Sequence, residues 1–254
     1  MQDHQFKDRV AIVCGASRGI GSVVASMLAA QGASVVISSR KVEGLEAAAR
    51  AIGADAPGRV HPIAADAART DDLQRLVDGT MAKFGRIDHV VYNAGASPHF
   101  GPLLDSPVDA WQRGFQVNVL GALTLIQGAV KAWMGEHGGS IVTVATLGAL
   151  QPRTNTGVYN TTKAGLVMLT RQFAVELGPK IRVNAVAPGL VKTDFSQAMW
   201  SDPDRLAMVL KENPLGRLGT PEEVASTIVF LLSEAAGFIN GQTVTIDGGA
   251  GKGR

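Results

Sequence analysis

The sequence predicts an α/β fold, a single doubly wound domain in which a mostly parallel seven-stranded sheet is flanked by helices. Three observations predict it. Short apolar runs alternate with helical stretches along nearly the whole chain, in a repeated strand-then-helix rhythm. The runs are too continuously apolar for strands with one wet face, so both faces of the sheet must be covered. A glycine-rich segment, Gly15-x-x-x-Gly19-x-Gly21, follows the first run directly.

The first strand is expected at Val10 to Val13, followed by a helix with Val23, Val24, Met27 and Leu28 on its apolar side. A second strand, Val35 to Ile37, comes after Gly32 and leads into a helix from Glu43 to Ala51. Five more strands are expected at Val60 to Ala65, Asp88 to Tyr92, Ile141 to Val144, Ile181 to Ala187 and Thr243 to Ile246. Gly157 to Leu177 has a helical pattern. A closed barrel would need an eighth strand and no special loop after the first. With no low-complexity linker, residues 1–254 read as one domain. The less regular stretch 192–221, with Pro203, Pro214 and Pro221, reads as a helical excursion or lid over the carboxyl edge of the sheet, where ligands bind in such folds.

Composition narrows the chemistry. A hydrophobic content of 46% with 30 glycines suits closely packed helices and strands and excludes a disordered or fibrous chain. The net charge of +2, without any long Lys/Arg run, gives no nucleic-acid footprint. Cys14 is the only cysteine, so neither an internal disulfide nor a thiolate metal cluster forms. The five histidines are scattered and lack metal-ligand spacing, so no metal is expected. The start, MQDHQFKDRVAIVCGASRG, has no long apolar segment before its glycines, and no uninterrupted apolar run is long enough to cross a bilayer. The expectation is a cytoplasmic protein with no membrane partner.

Gly15, Ser17, Arg18, Gly19, Ile20 and Gly21 form a strand-to-helix turn whose backbone N–H groups point at an anion, and side chains there would block a pyrophosphate. Lacking the Gly-Lys-Ser/Thr ending, it is not a nucleoside-triphosphate loop but suits a Rossmann-type dinucleotide site; as a lone pattern, helix packing is the rival reading. After the second strand, where an acid commonly meets the adenosine ribose, the chain reads Ser38, Ser39, Arg40. With Arg18 nearby, two guanidinium groups would suit a 2′-phosphate, which points to NADPH/NADP+ over NADH/NAD+. Asp66, followed by Ala67, either accepts from the adenine amino group or caps the next turn. Tyr92-Asn93-Ala94-Gly95 ends the fourth strand, where Gly95 lets backbone lie against the cofactor and Asn93 alone is equally a turn former.

Tyr159 and Lys163 stand one helical turn apart, on one face. A phenol with an ordinary pKa of about 10 is a poor acid until a nearby cation stabilises its anion. Lys163 can supply that field and hold ribose hydroxyls, so Tyr159 can give a proton to a carbonyl oxygen or take one from an alcohol. This Tyr-x-x-x-Lys element, with CGASRGIG, YNAG, AVAPGLVKTD and INGQTVTIDGG in order, resembles the classical short-chain dehydrogenase/reductase family over nearly the entire chain.

The resemblance implies further roles. Asn118, in FQVNVLGA, would stabilise a helix distortion and a water relay reaching Lys163. The PG turn, Pro188 and Gly189, would lead to Val191 and Thr193 against the nicotinamide carboxamide, although Thr193 is also a natural helix cap. The family's serine, thirteen residues before the tyrosine, aligns with Thr146, which keeps the hydroxyl and adds a methyl. Cys14 and Tyr92 replace a usual threonine and asparagine.

The implied activity is reversible reduction of a ketone to a secondary alcohol, on an alicyclic, aromatic or fatty-acyl small molecule. Candidates for lining its pocket are His99, Phe100, Leu147, Leu150, Phe195, Met199, Trp200 and Met208, with lid packing as their other reading. A 3-oxoacyl-(acyl-carrier-protein) reductase, with Arg153 or Lys192 meeting an acidic carrier, is one alternative, and a non-catalytic nucleotide-binding scaffold or sensor another. Family members often form tetramers, so a homotetramer is expected.

Overall fold

The computed structural model describes residues 5–251, so Met1 to His4, part of the start read for a leader, lie outside the described residues. Seven strands form one sheet: β1 (Val10–Cys14), β2 (Ser34–Ser38), β3 (Val60–Pro62), β4 (His89–Tyr92), β5 (Gly139–Val144), β6 (Ile181–Pro188) and β7 (Thr243–Ile246). Their order is β3-β2-β1-β4-β5-β6-β7, and every ladder is parallel. Order reverses between β1 and β4, which opens a crevice at the carboxyl ends of these strands.

Seven main helices cover the sheet: α1 (Gly19–Ala30), α2 (Val42–Asp55), α3 (Thr70–Phe84), α4 (Val108–His137), α5 (Gly157–Leu177), α6 (Pro203–Glu212) and α7 (Pro221–Leu232). Alternation along β1 divides the core. Ala11 and Val13 join Val24, Leu28, Val224 and Ile228 on the α1 and α7 side, while Ile12 and Cys14 join Leu76, Leu125, Ile126 and Leu166 on the other. Both faces are buried, as the continuous apolar runs require.

Two strands, β3 and β4, are shorter than the sequence reading, and β1, β2, β5 and β6 are longer by one or two residues. β3 stops at Pro62 rather than Ala65, and the proline is tolerated there because β3 is an edge strand. The chain still tracks β2, with Ile63 N–H donating to Ile37 O (3.0 Å) and Ala65 N–H to Ser39 O (3.1 Å). β4 starts at His89, since the Asp88 carboxylate accepts from Val10 N–H (2.8 Å) and pairs with Arg9 (3.1 Å) and Arg86 (2.7 Å).

Helix α4 is long and apolar enough to cross a membrane by length and composition, which the search for uninterrupted apolar runs had not picked out. Half of its most apolar window is buried inside the fold, with Ala122, Leu125, Ile126 and Ala129 in the core. Two π-helical stretches interrupt it, at Gln116–Leu120 and Val130–Met134. The irregular 192–221 stretch contains turns at Asp194–Ser196 and Gln197–Trp200 and then α6, none of whose residues is buried.

Candidate active site

The crevice is floored by the turn from β1 to α1. Gly15 takes φ +87°, and a Cβ there would stand 2.7 Å from Ala94 N; at Gly21 it would stand 2.3 Å from Gly15 O. The glycines therefore let α1, β1 and the end of β4 close on one another. Asn93 ties this junction together by donating from Nδ2 to Gly15 O (2.6 Å), so its side chain serves the scaffold. Gly15 N–H (2.7 Å) and Ala16 N–H (3.0 Å) donate to Ser38 O, which brings Ser39 and Arg40 beside the loop.

Helix α1 begins with no side-chain cap at Arg18 and no acid in its first turn. Its first N–H groups and the helix dipole thus remain for an anion, and the glycine cradle leaves backbone accessible, so these residues fit a dinucleotide pyrophosphate. Gly15, Ser17, Gly19, Ile20 and Gly21 supply that cradle. Arg40 is exposed and makes no ion pair with a described residue. Arg18 instead reaches Asp194, at the start of the turn Asp194–Ser196 (3.3 Å). Both ends of that pair are exposed, so it holds only weakly and leaves the guanidinium exchangeable.

Asp66 follows its turn-forming reading. Its Oδ1 accepts from Ala68 N–H (2.9 Å), and Arg113 lies 3.8 Å from Oδ2. Thr193 likewise closes a local turn, with its N–H donating to Ser196 Oγ (3.3 Å) and its carbonyl accepting from Trp200 Nε1 (3.1 Å). Even so, its methyl would lie only 3.4 Å from a Cβ at Gly19, so Thr193 faces the glycine loop across the crevice. Val191 is buried and bridges to Gly219, and Pro188 and Gly189 end β6 where Gly189 N–H donates to Ile246 O (3.0 Å).

Tyr159 and Lys163 sit on the first turns of α5. Lys163 is fully enclosed, donates to Val144 O (2.7 Å), and its Nζ lies 5.9 Å from the Tyr159 ring centre. Burial pushes Lys163 from 10.5 down to about 7 and raises Tyr159 above its ordinary value. Burial penalises the ionised form of each. Tyr159 rests as a neutral phenol with a proton to give. Phe195, in the turn Asp194–Ser196, lies beside it with ring centres 5.9 Å apart.

Asn118 lies inside the π-helical stretch Gln116–Leu120, the distortion anticipated for it. Its Oδ1 accepts from Ala96 N–H (2.8 Å), and its Nδ2 donates to Ala96 O (2.9 Å) and Thr162 Oγ1 (2.7 Å). It therefore clamps the loop after β4 to α5, one residue from Lys163. A Cβ at Gly95 would meet Lys163 Nζ at 3.3 Å and Asn118 Oδ1 at 3.7 Å, so these three groups converge. Thr146 stands at the end of β5, where Oγ1 accepts a long hydrogen bond from Gly148 N–H (3.4 Å) and keeps its proton for another acceptor.

Sequence reasoning missed Thr162, Ala96 and Val144, whose backbone or hydroxyl groups hold Asn118 and Lys163. Of these only Thr162 carried a signal, as a polar residue beside Lys163. The basic groups read for an acidic carrier have other partners: Arg153 pairs with Glu212 of α6 (2.5 Å), and Lys192 lies over Trp200 (5.6 Å). A groove of about 590 Å³ opens beside Leu103, Leu150 and Arg153, on the Asn160 side of α5.

A family model described as enoyl-(acyl carrier protein) reductase matches residues 15–251. Among characterised relatives, dehydrogenase/reductase SDR family member 4 of Oryctolagus cuniculus is 39% identical over 244 residues, covering 96% of this chain and 94% of that protein. Its Caenorhabditis elegans counterpart is 37% identical, with 96% of each chain covered. Among solved structures, levodione reductase superposes with a TM-score of 0.94 at 32% identity, covering 98% of this chain and 100% of that one. L-sorbose reductase from Gluconobacter frateurii, complexed with NADPH and L-sorbose, superposes at 0.91 with 31% identity, covering 100% of both chains.

Proposed function

The chain belongs to the short-chain dehydrogenase/reductase family, and on that premise we propose that it is an NADPH-dependent reductase converting a small ketone to a secondary alcohol, reversibly. The observation that carries the reading is the pairing of Tyr159 with a buried Lys163 on one face of α5, converging with Gly95 and Asn118. When bound, the nicotinamide cofactor supplies a hydride to the carbonyl carbon. The phenol of Tyr159 gives its proton to the carbonyl oxygen, and the Thr146 hydroxyl donates to the same oxygen and orients it. Lys163 would hold ribose hydroxyls and return a proton towards Tyr159. Asn118 fixes the walls around that path.

Arg18 and Arg40, with Ser39 where an acid would favour the ribose hydroxyls of NADH, support the choice of NADPH. The NADPH in the L-sorbose reductase complex agrees with it. Small ketones are preferred to acyl-carrier substrates because Arg153 and Lys192 alone do not make an extended basic patch for an acidic carrier. The names levodione reductase and L-sorbose reductase point the same way. The reading extends to a cytoplasmic homotetramer, for which the exposed Val108, Leu120, Met168 and Val175 of α4 and α5 offer apolar surface.

Cofactor choice is tested by kcat/KM with NADPH and NADH for the native protein and for Arg18→Ala and Arg40→Ala. The expected result is a preference for NADPH that each substitution reduces by about tenfold, the loss of one charged hydrogen bond. A native preference for NADH would overturn the arginine reading.

A further inference from the structure

Cys14 and Tyr92, the two residues that replace a usual threonine and asparagine of the family, are register partners on β1 and β4. Cys14 is buried and burial pushes its thiol up to about 12, so it packs as an inert small group. Tyr92 has no exposed surface, and its hydroxyl donates to the carbonyl of Val117. Val117 is the residue before Asn118, within the π-helical stretch Gln116–Leu120. Room for the phenol comes from Gly121, where a Cβ would stand 2.3 Å from the Tyr92 hydroxyl and 2.3 Å from Ala67 O.

From this geometry we propose that Tyr92 is a positioning residue, whose hydroxyl holds the π-helical turn at Val117 and so sets the Asn118 clamp on Ala96 and Thr162 beside Lys163. A π-helical turn carries its backbone bonds in a register that an α-helix does not share, and helices relax to the α form unless neighbours hold them. The hydroxyl of Tyr92 is one such hold. The two carboxamide bonds to Ala96 and the one to Thr162 all require Asn118 to project from the turn as it does here. The effect on turnover rests on the reductase reading above, whereas the effect on the turn does not.

Tyr92→Phe keeps the ring and removes only the hydroxyl. In the protein without cofactor, amide hydrogen exchange at Ala96 should quicken by tenfold or more relative to core strand amides of β5, because the Asn118 acceptor drifts. In turnover, kcat should fall about tenfold with the KM for NADPH within twofold, and the pH at which reduction falls off should move. Gly121→Ala, which presses on the same hydroxyl, should show the same two signatures. If Tyr92→Phe leaves both Ala96 exchange and the pH profile unchanged, the positioning role is wrong, even if the variant is less stable. Absence of turnover in the native protein would count against the reductase reading alone, and the exchange measurement would still decide on Tyr92.

Discussion

Lys163→Met should make the protein without cofactor more stable while abolishing turnover. Burial lowers Lys163 from 10.5 to about 7, so holding its charge at pH 7 costs the fold about 4 kcal/mol, at about 1.4 kcal/mol per pH unit. Methionine fills similar volume without charge but forfeits the hydrogen bond to Val144 O, an offset of about 1–2 kcal/mol. The net gain is about 2–3 kcal/mol, or roughly 4–10 °C in Tm for a chain of this size. The sign with pH follows from proton counting. Between pH 7 and 10.5 the folded protein binds fewer protons at Lys163 than the unfolded chain, so native stability rises with pH there. The advantage of the methionine variant should therefore shrink by about 3 kcal/mol between pH 7 and pH 9.5. Urea denaturation of both proteins without cofactor at the two pH values measures it. A variant less stable than the native protein at pH 7, or a gap that does not change with pH, would refute the account of Lys163 as a strained charge.

Other consequences follow from the same geometry. Reductive kcat/KM should fall as pH rises through about 7, where the buried Lys163 loses its proton, and Lys163→Arg should remove that limb from the pH profile. Thr146→Ala should lower kcat by about 100-fold, as expected for one donor to a developing oxyanion, while Thr146→Ser retains turnover. Equal losses for both would show that the methyl group, not the hydroxyl, is what matters. His89 is buried, its Nδ1 meets Ser140 Oγ (2.8 Å), and Ser140 Oγ donates to Leu232 O, so Nδ1 is the protonated nitrogen and buried Nε2 lacks a partner. Burial pushes His89 from 6.5 to about 4, so stability it contributes above pH 6.5 is lost as pH falls towards 4. His89→Phe should spare about 2 kcal/mol of the loss between pH 7 and pH 5, read from urea midpoints; parallel pH curves for the two proteins would contradict this.

The strands were legible because buried parallel strands write themselves as continuous apolar runs, and Gly15, Gly19 and Gly21 because the turn admits little else. Tyr159 and Lys163 were legible because helical spacing puts them on one face. The arrangement around them was not. The pair Arg18 and Asp194, 176 residues apart, and the acceptance of Lys163 by the Val144 carbonyl are set by strand order, which no local pattern encodes. The helix distortion at Asn118 was legible only through the family resemblance, and its π-helical form was not. Tyr92 was visible as a departure, but its use was not, since the partner is a backbone carbonyl made reachable by Gly121.

The central claim, that Tyr159 supplies the proton in NADPH-dependent ketone reduction, is tested most directly by initial rates of NADPH oxidation. These are measured with cyclic diones, keto sugars and aromatic ketones, for the native protein and Tyr159→Phe. The account predicts turnover by the native protein on at least one of these classes, and a loss of at least 1,000-fold (~4 kcal/mol) in the variant at unchanged cofactor affinity. Native turnover that survives in Tyr159→Phe would contradict it.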